Sequence, residues 1–162
     1  MLDTILFKIK KYIPKGLFKI IQKPYHRVMA LIGAVLYRFP SRHITVIGVT
    51  GTKGKSSVTE ILNAILEEAG FKTAVSNTIR FKIDAESTDN LYKMSMPGRF
   101  FVQSFLRKAV NAGCNYAILE MTSQGAELYR HKHIQLDSLI FTNLAPEHIE
   151  SHGSYENYVA AK

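Results

Sequence analysis

A glycine-rich turn carries the residues best suited to chemistry, GVTGTKGKSS at residues 48–57. Backbone N–H groups around its glycines would surround phosphate oxygens, and the N-terminus of a following helix adds roughly half a positive charge directed at them. Lys55 would reach the β- and γ-phosphates of a nucleotide, and the Ser56 hydroxyl would enter the shell of a Mg²⁺ ion. The turn therefore predicts a phosphate-binding loop, whose nucleotide-contacting residues are Gly51, Thr52, Lys53, Gly54, Lys55, Ser56 and Ser57.

The match to a phosphate loop is incomplete. Val49 stands where the strict pattern G-x-x-x-x-G-K-[ST] has its first glycine. The alternative is a glycine-rich turn that happens to contain Lys-Ser. GTPases, kinases, motors and ligases all use such loops, so the loop alone does not identify the reaction.

Two further residue types, histidine and glutamate, could bind a metal ion. His148 and His152 flank Glu150 at the spacing that would place two imidazoles on one helix face, but Gly153 follows them and predicts a loop instead. Glu120 ends the apolar run YAILE, where a carboxylate would lie at the carboxyl end of a strand. Read alone, Glu120 is a core carboxylate, His148 a loop histidine and Lys162 an ordinary helix lysine.

Strands alternate with helices from Ile44 onward. Apolar runs predict strands at 44–49, 72–77, 79–83, 116–121 and 138–143. Helices are predicted from Lys55 to Ala69, over 99–112, and from an N-cap at Ser154 to Lys162. The first of them places Val58, Ile61, Leu62, Ile65 and Leu66 on one stripe, and STDN at 87–90 is expected to form a turn. This order predicts an α/β fold, a doubly wound and mostly parallel sheet of the phosphate-loop NTPase type, with ligands at the carboxyl ends of its strands.

The charge is concentrated in an N-terminal arm, residues 1–43. This arm holds nine basic residues and one acidic residue, whereas residues 44–162 hold twelve of each. Pro14, Pro24 and Pro40 are expected to divide it into short amphipathic helices. Its longest apolar run, VMALIGAVLY, is too short to span a membrane, and no signal-peptide cleavage pattern follows.

Two interpretations of the arm stay open. Residues 1–40 could lie on an anionic membrane surface, or their helices could cap the domain's own sheet with the lysines solvated. No nucleic-acid-reading motif is present, so we expect no nucleic acid partner. The lone Cys114 permits no internal disulfide, which fits a reducing cytoplasm. The expected location is therefore the cytoplasm, with peripheral contact at the inner face of the membrane if the arm binds lipid.

The order of three motifs resembles that of the Mur ligase family, the ATP-dependent amide ligases of peptidoglycan synthesis. They are GVTGTKGKSS, AGCNYAILEMTSQG and FTNLAPEHIESHGSYENYVAAK. The likeness is closest to the tripeptide synthetase branch, whose central ATP-binding domain carries T-G-T-N-G-K-T/S, E-V-S-S-H and F-T-N-L-x-x-D-H-x-D-x-H-G ending in A-A-K. The resemblance covers residues 43–162 and implies that family's central domain for residues 44–162.

The resemblance implies a reaction. ATP phosphorylates a substrate carboxylate, and an amino acid then attacks the acyl phosphate to form an amide. By analogy, Lys55, Glu120, His148 and Lys162 are catalytic, and Mg²⁺ is held by Ser56 and Glu120. His148 matches a residue that helps hold a second Mg²⁺, and Lys162 matches a lysine that CO₂ carbamylates into a metal ligand.

The resemblance also implies substrate contacts, with several departures. Thr122, Ser123 and Arg130 match positions that touch the muramoyl peptide, and we add Ser95 and Asn143 to this group. Met96 replaces a hydroxyl residue, and the remaining replacements are Lys53 for Asn, Gln124 for His, and Glu147 and Glu150 for Asp. These changes leave the nucleotide chemistry intact and leave the acceptor open.

The family also has a UDP-binding domain before this region and a further domain after it. We therefore expect this chain to be an N-terminal fragment, inactive alone, with the arm in place of the UDP-binding domain. The expected partners are a muramoyl peptide or related carboxylate and an amino acid. The alternatives are a ligase for a lipid-linked or polyglutamate acceptor at the membrane, and a regulatory phosphate-loop NTPase with the arm as its tether.

Overall fold

The computed structural model describes residues 15–92, 94–146 and 153–162. Within the first range, residues 15–23 are described by their backbone only. The helices of these ranges are α1 (Lys15–Leu36), a short 3-10 helix (Pro40–Arg42), α2 (Lys55–Glu68), α3 (Arg99–Asn111), α4 (Ser123–Glu127) and α5 (Tyr155–Ala161). The strands are β1 (Thr45–Thr50), β2 (Thr73–Ser76), β3 (Arg80–Ile83), β4 (Glu86–Asp89), β5 (Tyr116–Glu120) and β6 (Ser138–Phe141).

The six strands form one mostly parallel sheet in the order β4-β3-β2-β5-β1-β6. β1 pairs in parallel with β5 and β6, and β2 pairs in parallel with β5. β3 and β4 extend the β2 edge in antiparallel pairing. The α/β fold predicted from the sequence is confirmed, and the carboxyl ends of β1, β2, β5 and β6 lie at one edge of the sheet.

Helices cover both faces of this sheet. On one face, α2 packs through Val58, Leu62 and Leu66 against Val49 and Ile118 of the central strands. On the other face, the larger core includes residues from the strands and from α3, namely Val46, Ala74, Ala117, Leu119, Val102, Phe105, Leu106 and Ala109. Successive strand residues point to opposite faces, so one apolar run supplies both cores.

The buried side of α2 differs from the predicted stripe. Ile61 and Ile65 are exposed, whereas Thr59 and Asn63 are buried. Thr59 accepts a hydrogen bond from Asn77 Nδ2 at 2.9 Å, and Asn63 Oδ1 accepts one from the Thr73 hydroxyl at 2.6 Å. These bonds tie α2 to β2 and rotate polar positions inward, which an apolar pattern does not reveal.

The predicted turn at 87–90 is wrong for most of its length. Residues 86–89 form β4, and the chain turns between β3 and β4 instead, where Asp84 takes a positive φ of 52°. Arg80 pairs with Asp89 and Phe81 with Thr88 across this hairpin. All four β4 residues are exposed, so the polar sequence reflects an edge strand rather than a turn.

The expected break at Pro24 is also wrong, because α1 continues through it. Ala30 and Ala34 are buried, and a Cβ at Gly33 would lie 3.5 Å from Phe100 Cδ1, so small residues bring α1 close to α3. This packing favours a continuous helix despite the hydrogen bond that proline removes. Within the described ranges, no helix combines the length and apolar character needed to cross a bilayer.

Candidate active site

The phosphate loop lies between β1 and α2, as predicted. Gly51 has a φ of 141°, and Gly54 has a φ of 80° directly before the first turn of α2. A Cβ at Gly51 would lie 2.0 Å from Thr142 Oγ1, so the backbone approaches the end of β6 too closely for a side chain. Glycine is therefore required there by space as well as by conformation.

The segment after β6 holds the outer part of this loop. The Lys53 N–H donates to Asn143 Oδ1, and Asn143 Nδ2 donates back to the Lys53 carbonyl, both at 3.0 Å. The Thr142 hydroxyl donates to the same carbonyl at 2.7 Å. Asn143, which we expected to contact substrate, thus braces the loop. Ser57 is exposed in the first turn of α2.

Thr52 and Tyr158 join the loop to α5. Thr52 is buried, its hydroxyl lies 2.7 Å from the hydroxyl of fully buried Tyr158, and it accepts from the Ala145 N–H at 3.0 Å. α5 begins at its predicted N-cap, because Ser154 Oγ accepts from the Asn157 N–H at 3.2 Å. Tyr158 was not predicted, since a tyrosine within a short helix carries no functional signal.

Two lysines lie against the carbonyls of the loop. Lys55 Nζ donates to Gly51 O at 3.1 Å and to Thr52 O at 2.8 Å. Lys162 Nζ donates to Gly51 O at 2.7 Å and to Thr50 Oγ1 at 3.1 Å. The pKa of Lys162 is lowered to about 8, mainly by burial and also by the positive charge of Lys55, while the Glu120 carboxylate opposes the shift.

Glu120 and Ser56 meet beside this loop. The Glu120 carboxylate is only 3% exposed, and its Oε2 accepts from Ser56 Oγ at 2.7 Å and from the Thr78 N–H at 3.0 Å. Its Oε1 accepts from Thr78 Oγ1 at 3.0 Å, and Ser95 Oγ lies 2.5 Å from that same hydroxyl. Thr78 was not predicted, although its place just after β2 is a signal that could have identified it.

The other predicted substrate residues line one cavity of about 270 Å³. Ser95, Thr122, Ser123 and Arg130 all contribute to its wall, and so does Lys55. Thr122 also caps α4, because its hydroxyl accepts from the Gly125 N–H at 3.1 Å. This cavity therefore adjoins the phosphate loop through the Lys55 side chain.

Arg130 supplies positive charge at this cavity. Its guanidinium donates to the carbonyl oxygen of Met96, and its burial lowers its pKa from the ordinary value. The Met96 side chain is buried and belongs to the core beside α3. A charged guanidinium beside neutral hydroxyls is suited to an anionic ligand.

His148 and its neighbours at 147–152 lie outside the described residues, so its predicted metal contact stays a prediction. Among the residues that are described, no group of three or more histidine, cysteine or acidic side chains is placed to hold a metal ion. Ser56 and Glu120 form a pair of oxygen-bearing side chains, with Ser56 Oγ 2.7 Å from Glu120 Oε2.

A phosphate loop after the first parallel strand, with an acidic strand end beside it, is the arrangement of a phosphate-loop nucleotide-binding fold. The sequence matches the family described as Mur ligase middle domain over residues 49–162. This chain belongs to the Mur ligase family.

Individual relatives agree with this assignment. A UDP-N-acetylmuramoyl-L-alanyl-D-glutamate--2,6-diaminopimelate ligase of Syntrophomonas wolfei is 34% identical over 134 residues, covering 83% of this chain and 27% of the relative. A UDP-N-acetylmuramyl-tripeptide synthetase of Borreliella afzelii is 37% identical over 139 residues, covering 84% of this chain and 28% of the relative. The chain thus spans little more than a quarter of the length of these curated relatives.

A solved structure shows the same fold. It is a UDP-N-acetylmuramoyl-L-alanyl-D-glutamate--2,6-diaminopimelate ligase that superposes with a TM-score of 0.67 at 24% sequence identity. The superposition covers 80% of this chain and 26% of that structure.

Proposed function

We propose that this chain is the nucleotide-binding part of an ATP- and Mg²⁺-dependent cytoplasmic ligase that joins an amino acid to the carboxylate of a UDP-N-acetylmuramoyl peptide. The reaction proceeds through an acyl phosphate. The observation that carries this proposal is the position of Lys55, which lies against the phosphate loop and also lines the cavity beside Arg130. One lysine thus adjoins both the nucleotide site and a cavity suited to an anionic acceptor.

The phosphates of ATP would bind at the loop and the first turn of α2. Gly51 and Gly54 leave the loop backbone free of side chains, and the N-terminus of α2 directs its N–H groups there. Lys55 would leave the carbonyls of Gly51 and Thr52 to pair with phosphate oxygens. Its charge would lower the repulsion between ATP and a second anion.

The residues beside the loop fit Mg²⁺. Ser56 and Glu120 offer a hydroxyl and a carboxylate, which are the hard oxygen ligands that Mg²⁺ prefers, and Thr78 holds the carboxylate in place. Bound there, Mg²⁺ would neutralise charge between the γ-phosphate and the acceptor carboxylate. The carboxylate nucleophile is already ionised at neutral pH, so the phosphoryl-transfer step needs no general base.

The acceptor would occupy the cavity of about 270 Å³. Arg130 would pair with an anionic group of the muramoyl peptide, and Ser95, Thr122 and Ser123 would donate or accept hydrogen bonds. An acceptor bound in this way would lie next to Lys55, with its carboxylate oxygen close to the γ-phosphorus of ATP.

Lys162 would carry a carbamate. A pKa of about 8 leaves an appreciable neutral amine fraction near neutral pH. The lone pair of that amine would form an N–C bond with CO₂, and the nitrogen would release one proton, so that a cation becomes an anion. The resulting carboxylate oxygens would serve as metal ligands together with His148.

Phosphate release by the full-length protein that contains this chain tests the function. We expect turnover to require both a UDP-muramoyl peptide and an amino acid, and to be lost in Lys55→Ala and Glu120→Ala. Lys108→Ala, on the exposed side of α3, is the matched control and should retain turnover. Phosphate release that needs neither substrate would instead indicate a regulatory NTPase, and turnover with a lipid-linked or polyglutamate acceptor alone would replace the proposed acceptor.

A further inference from the structure

Helix α1 has an apolar face that nothing in the described structure covers. Its inner face is formed by the buried residues Ala30, Gly33 and Ala34, and Gly33 lies beside Phe100 of α3. On the opposite side, six apolar side chains are between 44% and 65% exposed: Tyr25, Val28, Leu31, Ile32, Val35 and Leu36. Their spacing of three or four residues makes them one continuous stripe along the helix, the outer face of α1.

Polar contacts fix the direction of this outer face. Arg107 donates from Nε to the Tyr37 carbonyl and from Nη2 to the Arg38 carbonyl, both at 3.0 Å. Arg27 lies over the Tyr129 ring, with its Cζ 5.0 Å from the ring centroid. Because both ends of the described side-chain region are held on the body of the protein, the outer face points away from it.

The segment of sequence that carries the outer face has charge of one sign. Residues 15–43 contain six basic residues and no acidic residue. Arg38 and Arg42 are exposed at the C-terminal end of this segment. A second copy of the chain would bring two such basic segments together, which repel each other, whereas an anionic surface attracts both the charge and the apolar stripe.

We propose that the outer face of α1 docks on the surface of an anionic phospholipid bilayer. Val28, Ile32 and Val35 enter the boundary between head groups and acyl chains, and the exposed side chains of Arg38 and Arg42 lie near lipid phosphates. The helix has 22 residues but is not apolar enough to cross the bilayer, so it lies along the surface.

Docking would also orient the candidate site. His26, on the inner side of α1, lines a cavity of about 640 Å³ together with Tyr129 and Lys162. That cavity would lie about 10 Å from the bilayer surface, which is the diameter of one helix. The docking itself is independent of the ligase function, because it requires no nucleotide.

Tryptophan fluorescence can test this docking, because the chain contains no tryptophan of its own. In the full chain, Ile32→Trp places one reporter on the outer face, where Ile32 is 47% exposed, and Ile61→Trp places a control on α2, where Ile61 is 59% exposed. With vesicles of phosphatidylglycerol and phosphatidylcholine, we expect a blue shift in emission from Ile32→Trp only. Phosphatidylcholine vesicles should give no shift, and roughly 1 M NaCl should reverse the shift, because the Debye length there is about 3 Å.

Vesicle sedimentation gives a second measurement. The triple variant Val28→Ser, Ile32→Ser, Val35→Ser should bind anionic vesicles at least roughly tenfold more weakly than wild type, because three apolar side chains leave the bilayer. The matched control Ile61→Ser, Ile65→Ser should bind as wild type does. The proposal would be overturned if both reporters showed equal shifts in emission with lipid, or if Ile32→Trp showed none. A shift in the emission of Ile32→Trp without lipid that grows with protein concentration would also overturn it, and would identify a second copy of the chain as the occupant.

Discussion

Lys55 and Lys162 donate to the same acceptor, the carbonyl oxygen of Gly51, at 3.1 Å and 2.7 Å. Two cations that share one carbonyl repel each other, and this repulsion adds to burial in lowering the pKa of Lys162 to about 8. Replacing one cation by an anion would remove the repulsion. The carbamylation proposed for Lys162 does this, so the same geometry favours both the neutral amine and its product.

The lowered pKa of Lys162 predicts a specific dependence of stability on pH. An unfolded lysine keeps its proton up to about 10.5, whereas the folded Lys162 loses it near pH 8. Between these values the unfolded chain binds more protons, so the free energy of unfolding should rise with pH. In urea unfolding at several pH values, wild type should gain stability relative to Lys162→Gln from about pH 8 upward.

The control is Lys108→Gln, which removes one positive charge from the exposed side of α3. It corrects for the general effect of net charge on stability. If the difference in free energy of unfolding between wild type and Lys162→Gln stayed constant from about pH 8 to 10.5, this result would contradict the lowered pKa of Lys162.

Thr78 should act by positioning Glu120. Its N–H and hydroxyl donate to the two oxygens of the Glu120 carboxylate, while the threonine itself is exposed. Thr78→Val removes one of these bonds and should weaken Mg²⁺-dependent binding of a non-hydrolysable ATP analogue roughly three- to tenfold. Isothermal titration at several Mg²⁺ concentrations measures this change.

Thr78→Ser keeps the hydroxyl and should restore the binding. The free energy of unfolding of Thr78→Val should differ from that of wild type by less than about 1 kcal/mol, because the side chain is exposed. If Thr78→Ser binds as weakly as Thr78→Val, the hydroxyl is not the group that matters.

Tyr158 should stabilise the phosphate loop through Thr52. Tyr158→Phe removes the 2.7 Å contact between the two hydroxyls inside the protein and should cost about 1 kcal/mol of unfolding free energy. Tyr155→Phe, one turn earlier and only partly buried, is the matched control. Equal effects of the two substitutions in urea unfolding would show that the contact with Thr52 contributes nothing.

Much of the fold could be predicted because its signals are local. The β-branched run at 44–49 and the glycine-lysine turn after it predict β1, the phosphate loop and α2 from neighbouring residues alone. Parallel strands then bring Glu120 to the loop without further information, because both β1 and β5 end at one edge.

The missed features depend on contacts between distant parts of the chain. Thr78 reaches Glu120 across 42 residues, and Tyr158 reaches Thr52 across 106 residues. Asn63 is polar and yet buried, because its Oδ1 accepts a hydrogen bond from the Thr73 hydroxyl. Likewise, no pattern within α1 reveals that the helix continues through Pro24.

Gly51 should be the least replaceable residue of the loop. Its φ of 141° disfavours any side chain, and a Cβ there would lie 2.0 Å from Thr142 Oγ1 and 3.0 Å from Asn143 N. Thr142 cannot easily move, because its hydroxyl donates to the Lys53 carbonyl at 2.7 Å. Gly51→Ala should therefore lower the free energy of unfolding by about 2 to 4 kcal/mol and displace the loop that would bind phosphate.

Gly70→Ala separates the two causes of this loss. Gly70 has a φ of 85°, but a Cβ there would meet no atom within 4 Å, so only backbone strain of about 1 kcal/mol is expected. Urea unfolding of both variants gives the cost of the clash as the difference between them. Equal losses would mean that the segment after β6 moves aside freely, and the loop would then not be held by Thr142 and Asn143 as the hydrogen bonds indicate.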